Sequence, residues 1–360
     1  MSPGAREFND ITPAWLTSML RESGVLGGAA VRSIAVEPIG IGVGFLGQLA
    51  RLRLAYDRPE EGAPATIIAK LPTLDPGGRQ ICQLFRFYER EIRFYRDLAR
   101  DVPLRVPRCY ASAMDVAADD YVALLEDLGG LPMGNDATGC SAAEAETAIR
   151  TVARLHARWW ESPALERLAW IPMVNDPIHH IAQGAYQQAL VPLLQTFGDH
   201  LSPKMRVITE NMATRIVELQ NIGSQFPRTV LHGDYRLDNL FFDGASVAVI
   251  DWQIACRGQG VFDVAYFLSG GLEPAVRRAE EMRLLRLWYD LATDGHAGRF
   301  SFDDALVDYR RSVLFCHLYS VIAIGSLDSA NERGMSVFTG WLRRRGAAIE
   351  ELDAAELMPR

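Results

Sequence analysis

Cysteine is scarce in this chain and is never paired at short spacing. Its five cysteines, Cys82, Cys109, Cys140, Cys256 and Cys316, are odd in number and scattered. With no Cys-x-x-Cys pair, neither a zinc knuckle nor a disulfide framework is expected. Positive charge is also short, with 37 Lys and Arg against 45 Asp and Glu and a net charge of −8. A nucleic-acid partner calls for a basic footprint, so none is expected, and the acidic excess reads mainly as a solubility feature. Long apolar runs are missing. The longest, Val313 to Gly325, is too short to cross a bilayer and contains His317, so it reads as a buried helix and no membrane span is expected. The opening Met1-Ser-Pro-Gly-Ala-Arg-Glu-Phe8 holds no apolar signal core, which makes the cytoplasm the expected compartment. Internal repeats and low-complexity linkers are absent as well.

What remains is an ordinary globular composition, 49% hydrophobic and 23% charged over 360 residues, long enough for two lobes. Thr12-Pro13 caps and opens a short helix. Val31–Pro38 reads as a strand. Leu49–Leu54 alternates, with Ala50, Leu52 and Leu54 on one face and Arg51 and Arg53 on the other. Ala65–Leu71 is an apolar strand carrying one lysine, Lys70. The spacing of Ile81, Leu84, Phe85, Tyr88, Ile92, Tyr95 and Ala99 predicts one helix over 80–100. Tyr121–Leu125 is a further strand. Ser141-Ala-Ala-Glu144 is a capping box and starts a helix to about Trp160. More helices are expected near 179–197, 203–222, 274–293, 302–325 and 331–352.

The densest information lies in Val230-Leu-His-Gly-Asp-Tyr-Arg-Leu-Asp-Asn-Leu-Phe-Phe-Asp243 and Val247-Ala-Val-Ile-Asp-Trp252. Leu240–Phe242 and Ser246–Ile250 read as two strands joined by the tight turn Asp243-Gly244. Such a hairpin returns Asp251 to the neighbourhood of Asn239. Asp234 before the hairpin, Asn239 at its start and Asp251 at its end make a base and magnesium set. Phosphoryl transfer needs an acid to take a hydroxyl proton and hard oxygen ligands for a phosphate-bound metal. Gly42, Gly44 and Gly47 fit Gly-x-Gly-x-x-Gly, which also occurs in dinucleotide-binding loops. There the motif opens a helix; here a period-2 strand follows, as a glycine-rich hairpin over phosphates requires.

His-x-Asp-x-x-x-x-Asn followed by an apolar strand ending in Asp resembles the catalytic segment of the aminoglycoside phosphotransferase family, which has the protein-kinase-like fold. The wording His-Gly-Asp-Tyr-Arg-Leu-Asp-Asn is nearer to its ecdysteroid-kinase-like and acyl-CoA-dehydrogenase-associated small-molecule kinase branches than to the antibiotic-resistance enzymes. The resemblance implies a bilobal α+β fold: a small antiparallel-sheet N-lobe over 1–128 that binds nucleotide, and a mostly helical C-lobe over 129–360 with the catalytic loop and acceptor pocket. It implies Asp234 as catalytic base, and Asn239 and Asp251 as magnesium ligands. His232 becomes a scaffold residue, and Asp263 a support that bonds backbone amides of the loop or simply caps a helix. Arg236 stands near where protein kinases keep a phosphate-contacting lysine, with a solvent-facing loop arginine as the alternative. Lys70 is expected on the nucleotide phosphates. Its partner is a glutamate of the 80–100 helix. Glu89 and Glu91 flank the apolar stripe on opposite sides, so periodicity cannot choose; the resemblance points to Glu91. The backbone carbonyl of Glu126 and amide of Leu128 are the implied adenine contacts.

The expected function is ATP-dependent phosphorylation of a small-molecule hydroxyl, with GTP open as donor because backbone contacts do not declare the purine. The acceptor carries no signature. Trp160, Trp170, Tyr186, Trp288, Tyr289, Tyr319 and Trp341 suit an apolar pocket or plain core. Two other readings stand beside it: a kinase-like nucleotide-binding protein without catalysis, and a protein kinase. The second has little room, because Gly258–Asp263 follows Asp251 so closely.

Overall fold

The structure is a computed structural model that describes residues 5–40, 46–294, 299–325 and 332–360. The chain divides into two compact units, Met1–Asp101 with Val106–Leu131, and Val102–Arg105 with Pro132–Arg360.

The first unit is built on five antiparallel strands: β1 (Val31–Ile39), β2 (Gly47–Tyr56), β3 (Thr66–Pro72), β4 (Cys109–Asp115) and β5 (Asp120–Glu126), in the order β1-β2-β3-β5-β4. Alternation decides which side of β2 is dry. Ala50 and Leu52 are fully buried, whereas Arg51 bonds Asp127 and Arg53 bonds Glu37, each at 2.6 Å. Helix α1 (Pro13–Glu22), capped by the Thr12 hydroxyl on the Trp15 amide, lays Leu16, Met19 and Leu20 into the core made with Ala50, Leu52, Ile67, Ala69, Leu71, Val122 and Leu124.

The single helix expected over 80–100 is a correction. It is α2 (Pro76–Phe85), then α3 (Phe87–Arg93), then a π-helical turn, Phe94–Leu98. Arg86 sits between the two helices in the left-handed region, φ 55°, which stops a helix because the amide ladder cannot continue through it. The apolar stripe therefore loses its phase at the break. Ile81 and Leu84 are exposed at 48% and 47%, while Tyr88, Ile92 and Tyr95 are buried. Strand β4 has no counterpart in the sequence reading.

The second unit is mostly helical: α4 (Ala142–Trp159), α5 (Ala164–Arg167), α6 (Ile181–Phe197), α7 (Pro203–Met212), α8 (Ile216–Gly223), α9 (Val261–Gly271), α10 (Pro274–Ala292), α11 (Phe302–Gly325) and α12 (Glu332–Glu351). The helix expected over 203–222 is two helices, parted after Met212. Helix α9 is buried along its whole length. Helix α11, whose second half is the longest apolar run of the sequence, buries Val313, Leu314, Phe315, Cys316, His317 and Leu318. Among the described residues no helix is long and apolar enough to cross a membrane.

Two small antiparallel pairs carry the motif residues. Strand β6 (Thr229–Leu231) pairs with β9 (Cys256–Gly258), and β7 (Leu240–Asp243) pairs with β8 (Ser246–Val249). Gly244 takes φ 58° in the turn of the second pair.

Helix α4 starts with both halves of a capping box, Ser141 Oγ accepting from the Glu144 amide and Glu144 accepting from the Ser141 amide. Ser141→Ala should cost about 1 kcal/mol of unfolding free energy, read as a lower urea midpoint with unchanged slope. No change in midpoint would mean that the box contributes nothing to the folded state.

Candidate active site

Strand β6 delivers the chain into the loop His232–Arg236, and a single carboxylate receives it. Asp263, in the first turn of α9 and fully buried, accepts from the amide of His232 at 2.7 Å, from the amide of Gly233 at 3.0 Å and from His156 Nε2 at 3.2 Å. Trp288 Nε1 donates to His156 Nδ1 at 2.9 Å, so the proton of that imidazole lies on Nε2 and points at Asp263. Gly233 has φ 84°, and a Cβ there would stand 2.5 Å from the Ile254 carbonyl oxygen. Only glycine fits. His232, fully buried, closes the loop from the other side. Its Nε2 donates to the Ile250 carbonyl at 2.9 Å and its Nδ1 accepts from the Asp234 amide at 3.2 Å.

This loop sets Asp234 beside Asn239. The Asn239 amide nitrogen donates to the backbone carbonyl of Asp234 at 2.9 Å and to its Oδ2 at 3.0 Å, which leaves Asn239 Oδ1 as an acceptor for a cation. The β7–β8 pair brings the far end of the hairpin back. Leu240 faces Val249, and the Ile250 amide donates to the Asn239 carbonyl at 3.0 Å. Asp251 follows directly, at φ 66°, and its Oδ2 accepts from Gln253 Nε2 at 3.4 Å. Asn239 and Asp251 thus supply hard oxygen donors of the kind magnesium takes together with phosphates and water. Among the described residues no group of three or more His, Cys, Asp or Glu is arranged to hold a metal alone.

Arg236 is tied more heavily than its loop position suggests. It lies 2.6 Å from Asp136, 3.0 Å from Asp234 and 3.2 Å from Asp238, and its guanidinium rests over the Trp341 ring at 5.7 Å. Asp238 also meets Arg333 at 2.9 Å. Asp136 was not read from the sequence. It is 1% exposed and binds the far loop on both sides, taking the Leu237 amide and giving its own amide to Asp238. No signal at short range could have found a partner 100 positions away. Burial pushes the Asp136 carboxyl up, against the opposing pull of Arg236. Asp234 goes the other way. Burial alone would raise it, but the Arg236 guanidinium, through its charge and its hydrogen bond to Oδ2, holds it below its ordinary value.

In the first unit, Lys70 Nζ stands 2.7 Å from Glu91 Oε2, with the two side chains 12% and 4% exposed. Glu89 turns to Arg86 and Arg93 instead. Gly47 faces Pro72 across β2 and β3, and a Cβ there would lie 3.7 Å from Lys70 Cε. Gly42 and Gly44 lie outside the described residues. The Glu126 carboxylate and amide are both engaged with Arg108, and the Leu128 carbonyl accepts from the Leu131 amide at 2.9 Å.

A family model described as the phosphotransferase enzyme family matches residues 74–296. The chain belongs to that family. Homoserine kinase of Pseudomonas aeruginosa is 32% identical over 101 residues, which cover 25% of this chain and 32% of the kinase; the chain thus matches about a third of the length of that relative. Two solved structures share the protein-kinase-like fold. Choline kinase from Cryptosporidium parvum Iowa II has TM-score 0.55 and 14% identity, over 88% of this chain and 90% of that one. The GDP complex of aminoglycoside 2'-phosphotransferase-IIIa has TM-score 0.54 and 11% identity, over 94% and 98%. The phosphotransferase therefore has the bilobal α+β fold expected from its catalytic segment.

Asp263→Ala should strand two buried amides and the His156 N–H at about 1–3 kcal/mol apiece, seen as a large loss of unfolding free energy in urea. A loss near zero would remove Asp263 from the loop's support. Because Asp234 is held below its ordinary value of 3.8, it stays ionised at neutral pH, and its contribution to stability is lost only as pH falls through the depressed folded value. Arg236→Met should raise that value and shift the acid limb of the pH–rate profile upward. An unmoved limb would show that Arg236 does not set the ionisation of Asp234.

Proposed function

We propose that this phosphotransferase moves the γ-phosphate of a nucleotide, ATP first among candidates, to a hydroxyl of a small molecule. The observation that carries this reading is the pairing of Asp234 with Asn239 at 3.0 Å, with Asp251 following the residue that bonds the Asn239 carbonyl. Asp234 is the base: it orients the acceptor hydroxyl and takes its proton as the new oxygen–phosphorus bond forms and ADP leaves. Asn239 Oδ1 and the Asp251 carboxylate would hold magnesium, which when bound neutralises charge on the phosphates. Lys70, fixed by Glu91, is the cation for the α- and β-phosphates. Arg236 keeps Asp234 ionised and in place through its bond to Oδ2. Its three carboxylate partners argue for positioning over direct contact with the transferred phosphate. The link from Asp251 to β9 is only four residues long, Trp252–Ala255. That brevity argues against a peptide-binding activation segment and for a small acceptor.

A magnesium-dependent thermal-shift titration with ATP, GTP and a non-hydrolysable analogue tests this. Ligand that binds the folded state raises Tm by mass action. The shift should shrink in Asp251→Ala, whereas Asp234→Asn should keep nucleotide binding and lose about 10²–10⁴-fold in transfer rate. No shift at millimolar nucleotide would sink the reading.

A further inference from the structure

A chain of ion pairs runs outward from Asp234 to helix α12. Asp234 Oδ2 accepts from Arg236 Nε at 3.0 Å. Arg236 Nη1 lies 3.2 Å from Asp238 Oδ2, and the same oxygen accepts from Arg333 Nη2 at 2.9 Å. Arg333 stands in the first turn of α12. Only these three contacts, none longer than 3.2 Å, separate its guanidinium from the Asp234 carboxylate. One small molecule can therefore reach both ends.

The charges along this chain are layered. The side chains of Asp136 and Asp238 lie inside, at 1% and 6% exposure, whereas Arg333 faces outward at 39%. Its bond to Asp238 is its one hydrogen bond among the described residues. Its Nε is buried without a partner, a cost that an anion held by the same guanidinium would offset. Its Nη1 makes no bond and reaches solvent. Asp238 satisfies Arg333 only in part, because its Oδ2 also serves Arg236 and its Oδ1 takes the Asp136 amide at 3.0 Å. A molecule that approaches Asp234 along this side meets a cation with donors to spare.

We propose that the acceptor alcohol carries an anionic group, a carboxylate or a phosphate ester, and that Arg333 binds this group while Asp234 faces the hydroxyl. The inference rests on the kinase reading for the role of Asp234, but the anion site is a claim about binding alone. A guanidinium suits either group, because its planar N–H donors match the oxygens of carboxylates and phosphates. Nη1 supplies the donors that Asp238 leaves over. Arg333 is a binding residue in this scheme and touches no reacting atom. Asp238 is the positioning residue that holds its guanidinium.

The test is calorimetric titration of the whole chain, with magnesium and ADP present, using matched probes. One pair is γ-hydroxybutyrate and its neutral amide, with the amino alcohol of the same length as the cationic control. The other is glycerol phosphate and glycerol. In one pair or both, the anion should bind about tenfold more tightly than its neutral partner, the low end for a hydrogen-bonded charge because the site is partly open to water. The pair that shows the preference tells carboxylate from phosphate. The preference should vanish in Arg333→Gln and survive in part in Arg333→Lys, which keeps the charge and loses the planar fork. If Arg333 only fastens α12 to the loop, Arg333→Gln weakens anion and neutral partner alike, and the inference falls. It falls as well if the wild-type protein binds both members of each pair equally, binds no anion at millimolar concentration, or prefers the amino alcohol. The wild-type ratios and Arg333→Lys decide the matter even if Arg333→Gln does not fold. Failure of the kinase reading shows separately, as loss of the magnesium-dependent nucleotide shift.

Discussion

The second unit depends on where one buried carboxylate finds its donors. Asp263 begins α9, and its two oxygens collect the amides of His232 and Gly233 together with His156 Nε2. These donors come from the strand end after β6 and from α4. Trp288 of α10 adds a fourth element through His156. Four segments distant in sequence are thereby fixed to one point. Burying such a group is tolerable only when nearly all its lone pairs are used. Here the amides that meet this condition are also those that turn the chain toward Asp234, the proposed base.

From that anchor the remaining contacts follow with little freedom. Gly233 must be glycine because the Ile254 carbonyl leaves no room for a Cβ. His232 then spans from the Asp234 amide to the Ile250 carbonyl, linking the start of the His232–Arg236 loop to the end of the hairpin. Asp136 and Arg236 lock the middle of the loop from a segment 100 residues upstream. The loop is over-determined, as the proposed role of Asp234 requires of a group that must stay within hydrogen-bond reach of a hydroxyl.

Much of this was legible in the sequence because it is local. The hairpin, its Asp-Gly turn, the capping box of α4, and the period-2 face of β2 are each written within about ten residues. What escaped was non-local or broke a period. The 80–100 helix kept an apolar stripe across Arg86, and a stripe carries no information about a left-handed residue in its middle. Asp136 and Arg333 have no motif around them; their meaning comes from the partners that folding brings, Arg236 and Asp238. The choice between Glu89 and Glu91 sits at the boundary. Periodicity placed them symmetrically, and the structure pairs Lys70 with Glu91.

The thiols scattered through the chain give the protein a built-in clock. None is in a disulfide. Cys82 is buried in the first unit, and burial pushes its thiol up. In the second unit burial drives Cys140 and Cys316 up to about 12. A thiol in that state is almost never the reactive thiolate at neutral pH. For Cys82 and Cys316, which are also buried from solvent, alkylation in the native protein therefore waits on an opening event. Peptide-resolved labelling of Cys82 against Cys316 would time the openings of the two units separately, without an introduced probe.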